Sequence, residues 1–262
     1  MMKNKTLFKA LLSLSGIFIF AAFFIASDTP AKTQQSVTVK VANFSFTPDS
    51  TAKPKSQDLA FVLINPSYAE SFHYSPYHPF NDFAKAMAQD VEQTIVARGY
   101  SIFGPYSTPD EMVYSDKKNS DIILYVDIEP EINLQNVKAN QNFHSSLYGG
   151  TGYYTYSFSG SMIMSGKINL TAKAVWNQEK LWIKSIPMEQ KTIEIASTKT
   201  YEVNSLVAAF QNSDPGVVNP VVDAMEQYYT SIMKLIYAHL DPEEMKDVKK
   251  QADEIKAKYQ GK

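Results

Sequence analysis

The chain has 262 residues, of which 44% are hydrophobic and 20% charged, and its formal net charge is −2. This is the composition of a globular protein, and it excludes a largely disordered chain and a membrane protein with many spans. Arg98 is the only arginine and acidic residues slightly outnumber basic ones, which disfavours a nucleic-acid partner. Cysteine is absent, which excludes disulfides, thiol catalysis, zinc sites with cysteine ligands and a lipid anchor on cysteine.

Residues 1–31 have the pattern of a targeting segment. Lys3, Lys5 and Lys9 precede an apolar run over 10–26. As a helix this run would be about 25 Å long against a bilayer core of about 30 Å, so it is either a cleaved signal peptide or a retained membrane anchor. In both cases the basic flank stays on the side of synthesis, and we predict that the rest of the chain is exported.

The exported part, 32–262, is predicted to form a single domain. An exported chain without cysteine must be held together by its core, and about 230 residues suffice for that. Near its start, apolar and polar residues alternate over 37–41 and the pattern continues to Phe44 and Phe46, which predicts a first strand. The three predicted regions are a strand plus a linker over 32–58, a core of sheet and helices over 59–216, and helices over 217–262.

Strand and helix signals alternate over 59–129. After Pro79, hydrophobic residues recur every three or four positions, which predicts a helix with one apolar stripe. A capping-box pattern at 108–111, with Pro109 at the first helical position, predicts the start of a short second helix. The order strand, helix, strand, helix, strand indicates a small βαβαβ layer with helices on a sheet. Its predicted strands cover 59–64, 100–106 and 121–129.

The remaining sequence predicts an antiparallel meander followed by two C-terminal helices. Alternating runs are separated by turn residues, which is typical of strands joined by hairpins; these runs cover 157–176, 180–186 and 191–196. Asn219 and Pro220 are predicted to start one helix, and a second capping pattern at 241–244 starts the last one. The predicted fold class is therefore α/β, or more loosely α+β, with a βαβαβ layer continued by the meander.

The last predicted helix has balanced charges and one narrow apolar seam at coiled-coil spacing. The seam consists of Met245, Val248, Ala252, Ile255 and Tyr259. It either packs on the protein's own domain or binds a partner helix, and the first interpretation is the simpler one.

The sequence contains no established catalytic or cofactor motif. His73 and His78 share an aromatic loop and could bind a metal, but such histidines more often pack or form hydrogen bonds. Asp127, Glu129 and Glu131 alternate along one predicted strand and could serve glycoside cleavage, although a solvent-facing polar edge explains them more simply. We therefore predict a protein that is not an enzyme, with no catalytic residue, no metal and no cofactor.

An aromatic segment over 143–158 is the most suggestive surface feature. Its predicted ligand-binding residues are Tyr148, Tyr153, Tyr154 and Tyr156. Tyrosine offers a large rigid face and a hydroxyl group, which suits stacking on a carbohydrate or contact with a protein. The alternative is a β-hairpin whose tyrosines are ordinary cross-strand pairs on a half-buried sheet.

Several short stretches carry a resemblance to a known family. They are 37–44 with Pro48, 59–66, 91–95, 98–100, 115–118, 166–171, 223–233 and 252–258. Together with the order of the elements, they resemble the neuraminyllactose-binding haemagglutinin family, also called the flagellar-sheath adhesin lipoproteins. The resemblance extends over about 37–260 and includes no catalytic signature.

The resemblance implies a non-enzymatic surface protein of the cell envelope, linked in that family to the outer membrane, the flagellar sheath and host adhesion. Family members carry their lipid on a cysteine, which this chain lacks, so that it is anchored by 10–26 or not at all. The family's proposed sialic-acid segment is a run of basic residues, whereas the matching stretch 135–141 here contains one basic residue, Lys138. Sialyl-glycan recognition through such a run is therefore not implied.

The leading prediction is an exported, adhesin-like binding protein of the outer membrane or periplasm. Its partner would be a host or envelope glycan or an envelope protein, with membrane contact through the N-terminal segment if that segment is uncleaved, and no nucleic acid. The alternative is a periplasmic or outer-membrane assembly or scaffold factor that acts through its C-terminal helix. A glycan-cleaving enzyme that uses Asp127, Glu129 or Glu131 is the third and weakest prediction.

Overall fold

The computed structural model describes residues 37–48, 56–146 and 151–260, and the predicted targeting segment lies outside these ranges. The strands of the described part are β1 (Ala60–Ile64), β2 (Ser67–Tyr68), β3 (Ser101–Tyr106), β4 (Ile122–His144), β5 (Tyr153–Ala174) and β6 (Lys180–Ala196). Its helices are α1 (Phe80–Ala97), α2 (Tyr114–Asn119), α3 (Val207–Gln211), α4 (Pro215–His239) and α5 (Pro242–Gln260), with a 3₁₀ turn at Pro109–Glu111.

The strands form one mixed sheet in the order β3-β1-β4-β5-β6, with β2 also paired to β4. β1 runs parallel to β3 and β4, whereas β5 is antiparallel to β4 and β6. This confirms the predicted fold class, a parallel βαβαβ layer continued by an antiparallel meander. Because β1 lies between two parallel strands, both of its faces are covered, and Phe61, Val62 and Leu63 are fully buried.

Helix α1 covers one face of the sheet and has the predicted apolar stripe. Its stripe residues are fully buried: Phe80, Phe83, Met87, Val91 and Ile95. The helix ends before Gly99, whose φ of 89° is a left-handed conformation that favours glycine. The backbone reversal at Gly99 brings the chain back to the sheet edge, where β3 begins.

Helix α4 packs beside α1 and begins earlier than predicted. Asp214 caps its first turn by accepting a hydrogen bond of 2.9 Å from the Gly216 amide, and Pro215 occupies the first turn. The prediction that Asn219 and Pro220 start this helix was therefore wrong, since Pro220 lies inside it. Pro215 and Pro220 both give the sequence signal of a helix start. The helix begins at Pro215, because the carboxylate of Asp214 caps the turn that follows it.

Helix α5 packs on its own domain. Four of its seam residues are buried, namely Met245, Val248, Ala252 and Ile255. The Lys256 ammonium lies 2.9 Å from the Asp121 carboxylate, and the Trp182 indole donates a hydrogen bond of 3.1 Å to Glu244. The seam is thus occupied within the chain, which agrees with the simpler interpretation and gives a partner helix no support.

The short helix of the βαβαβ layer starts later than predicted. Residues Pro109–Glu111 form a 3₁₀ turn in which the Thr108 side chain makes no capping hydrogen bond. Glu111 accepts instead a hydrogen bond of 2.9 Å from the Ser107 amide. The predicted helix start at 108–111 was therefore wrong, because Glu111 bonds to the Ser107 amide and not to the Thr108 amide, only one 3₁₀ turn forms, and α2 begins at Tyr114.

Two strands, β4 and β6, are much longer than predicted. β4 continues beyond Glu129 to His144, and β5 begins at Tyr153, so that most of the predicted aromatic loop belongs to a strand ladder. The two runs predicted over 180–186 and 191–196 form the single strand β6. Residues 143–158 thus belong to a hairpin with cross-strand aromatic pairs, as in the alternative interpretation, but the rings at its end are exposed and do not lie on a half-buried sheet.

Two glycines inside the predicted strand allow the irregularities of β5. Gly160 and Gly166 have φ values of 128° and 136° and lie at or next to irregularities of the ladder. A Cβ atom at either position would lie 2.2 Å from a carbonyl oxygen of β4. The two glycines therefore permit bulges inside one continuous strand.

Residues 37–48 form an extended arm and not the predicted strand. Ala42, Phe44 and Phe46 pack against the core while their neighbours are exposed, so the alternation correctly indicates an extended chain with one buried side. The arm's amides, however, bond to helix side chains: Lys40 to Asn219 (2.7 Å), Asn43 to Glu226 (2.7 Å) and Phe46 to Asp90 (2.8 Å). An alternating pattern does not distinguish these partners from a neighbouring strand.

Phe44 is the apolar anchor of the arm. Its ring centroid lies 5.3 Å from those of Phe83 on α1 and Tyr229 on α4. The ion pair of Lys40 with Glu226, 2.6 Å long, closes the arm over α4. The arm therefore bridges the two helices that cover the sheet.

We expect Phe44→Ala to lower the free energy of unfolding by about 2–4 kcal/mol, because the truncated side chain leaves a cavity between two helices. Urea unfolding followed by circular dichroism measures this change. The matched control is Val41→Ala in the same arm, where the side chain is 84% exposed and the expected change is below about 0.5 kcal/mol. Equal effects of the two variants would show that Phe44 does not anchor the arm.

Candidate functional site

The β4–β5 hairpin extends beyond the rest of the sheet. β6 ends at Ala196, which lies opposite Ser159, whereas β4 and β5 remain paired as far as His144 and Tyr153. We refer to residues 139–146 and 151–158 as the ribbon tip. On its β4 side every residue is exposed, and so are residues 151–154 on its β5 side. The outer part of the ribbon tip, 139–146 with 151–154, thus presents both faces to solvent.

Two cross-strand aromatic pairs occupy the end of the ribbon tip. Phe143 lies opposite Tyr154 with ring centroids 5.0 Å apart, and His144 stacks on Tyr153 at 4.8 Å with an interplanar angle of 17°. Because neighbouring strand residues point to opposite faces, the two pairs lie on opposite faces of the ribbon. The His144 Nε2 atom is 2.9 Å from the Thr155 hydroxyl oxygen, which fixes the orientation of its ring.

The aromatic side chains at the ribbon tip remain accessible. Phe143, Tyr153 and Tyr154 are 60%, 57% and 48% exposed. Gly152 leaves space for the Phe143 ring, since a Cβ atom at that position would lie 2.3 Å from the Phe143 Cζ atom. The tip therefore offers preformed aromatic surfaces held by cross-strand contacts.

The sequence of the ribbon carries no formal charge. Asp, Glu, Lys and Arg are all absent between Lys138 and Lys167. The polar groups of the ribbon tip are amides and hydroxyls, such as those of Asn140, Asn142 and Thr155. Recognition here would rest on ring faces and neutral hydrogen-bonding groups, not on ion pairs.

The base of the ribbon is fixed by Tyr156 and by the segment that follows β6. Tyr156 and Tyr201 exchange backbone hydrogen bonds of 2.7 and 2.8 Å. The ring of Tyr201 stacks against Phe158 at 6.0 Å, and its hydroxyl donates a hydrogen bond of 2.6 Å to Asp214. Tyr156 is half-buried, so it joins the ribbon to the body and contributes little to the exposed tip.

Asp214 holds this junction as a buried carboxylate. Besides the Tyr201 hydroxyl and the Gly216 amide, it accepts hydrogen bonds from the Thr198 amide (3.0 Å) and hydroxyl (2.7 Å). Burial by itself raises the pKa of a carboxyl, but the hydrogen bonds from Tyr201, Thr198 and Gly216 outweigh burial, and the pKa of Asp214 lies below its usual value. The carboxylate is therefore ionised wherever the protein is folded near neutral pH.

The structure separates the four predicted binding residues. Tyr153 and Tyr154 lie on opposite faces of the ribbon tip, Tyr156 lies at its base, and Tyr148 falls outside the described residues. Phe143 and His144 complete the two aromatic pairs, and the prediction of site residues missed both. The cross-strand register, which follows from continuing the β4 ladder to the turn, is the signal that finds them.

The row of carboxylates on β4 is engaged in a polar network. Glu129 lies 3.2 Å from the Lys167 ammonium and accepts a hydrogen bond of 2.7 Å from Asn169. Burial, followed by the nearby charge of Glu129, raises the pKa of Asp127, while Lys173 opposes the rise. These contacts agree with a polar sheet face, the simpler of the two interpretations of this row.

The two loop histidines do not form a metal site in the structure. His78 Nδ1 lies 2.5 Å from the Asp82 carboxylate, and its Nε2 lies 3.0 Å from the Lys40 carbonyl oxygen. Among the described residues, no three histidine, aspartate or glutamate side chains are grouped as metal ligands. His78 instead ties the arm to the start of α1.

Within the described ranges, no helix has the length and hydrophobicity that a membrane crossing requires. The apolar run 10–26 lies outside those ranges.

No family model matches the sequence, and no curated protein matches it. Among solved structures, the chain is similar to a homologue of the neuraminyllactose-binding haemagglutinin from Helicobacter pylori, with 15% identity and a TM-score of 0.52 over 79% of this chain and 98% of the other. This likeness shows a common fold, which is the fold that the sequence resemblance implies. At this identity it shows nothing more specific.

Two further solved structures show weaker likeness. A protein from Xanthomonas campestris is 14% identical with a TM-score of 0.35, over 83% of this chain and 98% of the other. A lipoprotein from Neisseria meningitidis is 12% identical with a TM-score of 0.25, over 63% and 99%. TM-scores this low carry no argument about the present chain.

We expect Asp214→Asn to lower the free energy of unfolding at neutral pH by about 2–4 kcal/mol, since it weakens charge-assisted hydrogen bonds to a buried group. A lowered pKa in the folded state adds stability above the usual carboxyl range, and this stability is lost as pH falls below about 4. The variant should therefore lose less stability than the parent chain on acidification. Urea unfolding at several pH values measures both effects.

The matched control is Asp110→Asn, which replaces an exposed carboxylate and should change neither quantity by more than about 0.5 kcal/mol. If Asp214→Asn shows the stability and acid dependence of the parent chain, Asp214 does not hold the base of the ribbon.

Proposed function

We propose that this chain is an exported, non-enzymatic binding protein of the cell envelope, adhesin-like in action, whose ribbon tip contacts a glycan. The basic and apolar pattern of 1–31 supports export, with anchoring by 10–26 if that segment is retained. The fold shared with the Helicobacter pylori structure, which is named as a homologue of a neuraminyllactose-binding haemagglutinin, supports a binding role. An outer-membrane or flagellar-sheath location rests on the sequence resemblance.

The observation that carries the proposal is the pair of exposed aromatic surfaces on a projecting ribbon. Three large aromatic side chains, each about half exposed, lie close together at the ribbon tip. Exposed apolar surface of this kind usually marks a contact site. Phe143–Tyr154 and His144–Tyr153 present ring faces on opposite sides of the ribbon. Sugar rings stack on such faces through their C–H groups.

The polar groups around the rings favour an uncharged glycan. Asn140 and Asn142 are exposed, and their amides can donate and accept hydrogen bonds to sugar hydroxyls. A sialic-acid carboxylate would need a cation or several converging donors, and the described part of the ribbon beyond Lys138 contains no lysine or arginine. We therefore propose neutral oligosaccharides as the class of ligand.

A glycan array with neutral and sialylated oligosaccharides tests the proposal. We expect binding to neutral glycans by the parent chain, and a loss of at least about tenfold in affinity for Tyr153→Ala or Tyr154→Ala, because each variant removes half of one aromatic pair. Titration calorimetry with the best glycan gives the affinities. The two variants separate the two faces of the ribbon, so the more damaging one identifies the face that stacks on the sugar.

The matched control is Tyr114→Ala, which removes a 72% exposed tyrosine of α2, outside the ribbon, and should leave binding unchanged. Thermal unfolding of each variant shows whether the fold is intact. Equal binding by the parent and both ribbon variants would refute the site, and binding confined to sialylated glycans would refute the class of ligand.

A further inference from the structure

A long edge of β4 has no partner strand. One side of β4 pairs with β5 along its whole length, while its other side pairs with β1 at 122–124 and with β2 at 127–128. Beyond Glu129, no described strand lies on that second side. An unpaired strand edge presents free amide and carbonyl groups and is a ready site for adding another strand.

The exposed edge lacks most of the features that protect such edges. Natural edge strands carry several charges, prolines, bulges or short lengths that prevent pairing with another chain, and of these this edge has a bulge between Asn133 and Asn136. From 131 to 144 this edge has two charged residues, Glu131 and Lys138, and no proline. Both charges are exposed, whereas Ile132, Leu134 and Val137 are half-buried on the helix face of the sheet.

The order of residues along 131–138 is complementary to itself in the antiparallel direction. Reading Glu-Ile-Asn-Leu-Gln-Asn-Val-Lys forward on one copy and backward on another gives matched pairs at three of the four distinct positions, and the central pair joins Leu134 to Gln135. Glu131 meets Lys138 of the second copy, Ile132 meets its Val137, and Asn133 meets its Asn136. The opposite ends of the stretch thus form two identical ion pairs.

We propose that two copies of this chain associate through this edge, with antiparallel β4 strands paired over 131–138 about a two-fold axis between Leu134 and Gln135. Such an interface is isologous, because the same surface serves both copies. The charges favour a second copy over an unrelated strand, since each copy supplies the cation that the other's Glu131 lacks. Glu131 and Lys138 have no ion-pair partner among the described residues.

The faces of the two copies agree in this register because of an irregularity in β4. Opposite residues of antiparallel strands point to the same face. The register with β5 shifts by one residue between Asn133 and Asn136. As a result, the Val137 side chain lies on the same face of the sheet as that of Ile132. Ile132 and Val137 therefore meet on the helix face, and Glu131 and Lys138 meet on the other face.

The structure also limits the length of the pairing. β2 occupies the edge of β4 at Asp127 and Ile128, and Pro130 has no amide hydrogen to donate. The second copy's strand must therefore diverge beyond Asn140. Because the pairing is antiparallel, the two ribbon tips would leave the interface in opposite directions, which gives the dimer two separated binding ends.

Charge reversal tests the proposal in the full chain, purified in mild detergent and analysed by sedimentation at several concentrations. We expect the parent chain to dimerise, and Glu131→Lys or Lys138→Glu alone to raise the dissociation constant by about tenfold or more, because each variant places like charges opposite each other twice. The double variant Glu131→Lys with Lys138→Glu restores opposite charges and should restore the dimer. The charge-reversed residues are exposed, and circular dichroism checks that each variant is folded.

Cysteine cross-linking tests the register, and the native chain contributes no background because it contains no cysteine. The double variant Asn133→Cys with Asn136→Cys should form covalent dimers under mild oxidation, and either single variant should form far fewer. A parent chain that stays monomeric at all concentrations, or single charge variants that dimerise like the parent, would overturn the proposal. Efficient cross-linking by one single variant would overturn the register.

Discussion

The length of the β4–β5 hairpin relative to the helices that cover it determines most of this structure. β5 has 22 residues and α4 has 25. At about 3.3 Å per residue in a strand and 1.5 Å in a helix, the strand is about 70 Å long along its path and the helix about 40 Å. A helix layer of this size is shorter than the hairpin. The end of the hairpin, beyond the last residue of β6 opposite Ser159, therefore projects from the rest of the sheet.

A projecting two-stranded ribbon is only marginally stable alone, so its base must be fixed to the body. The fixation comes from a junction in which Tyr156 pairs with Tyr201 and the Tyr201 hydroxyl bonds to Asp214. The same carboxylate caps α4, the helix that covers the sheet. One buried charge therefore couples the position of the ribbon to the helix layer, and its desolvation is offset by several hydrogen bonds and not by a cation.

Sequence periodicity predicted the elements whose apolar pattern has one explanation. The stripe of α1, the buried run of β1 and the seam of α5 were confirmed because a repeat of three to four residues, or a continuous apolar run, determines what is buried. The arm over 37–48 shows where this reasoning stops. Its alternation is real, but an alternating pattern gives the direction of side chains and not the partner of the backbone, which here is Asn219, Glu226 and Asp90.

The ribbon could not be predicted from local sequence for a related reason. Gly160 and Gly166 lie inside a predicted strand, but only the carbonyl groups of β4 show why a side chain is excluded at these positions. Tyr153 and Tyr154 were correctly placed in an exposed aromatic segment, but their separation onto two faces follows from the register with Phe143 and His144. Long-range pairing, and not composition, decides which rings act together.

The absence of charge distinguishes the ribbon tip from the open edge at its base. No Asp, Glu, Lys or Arg lies between Lys138 and Lys167, so the rings at the tip are surrounded by amides and hydroxyls. The open edge over 131–138, in contrast, carries Glu131 and Lys138. The aromatic pairs at the end then have two roles, because they hold the two strands together where no third strand helps and they form the surface that a sugar ring would contact. A ligand that stacks on these rings would therefore also stabilise the strand pairing, so that binding and local order at the ribbon tip depend on each other.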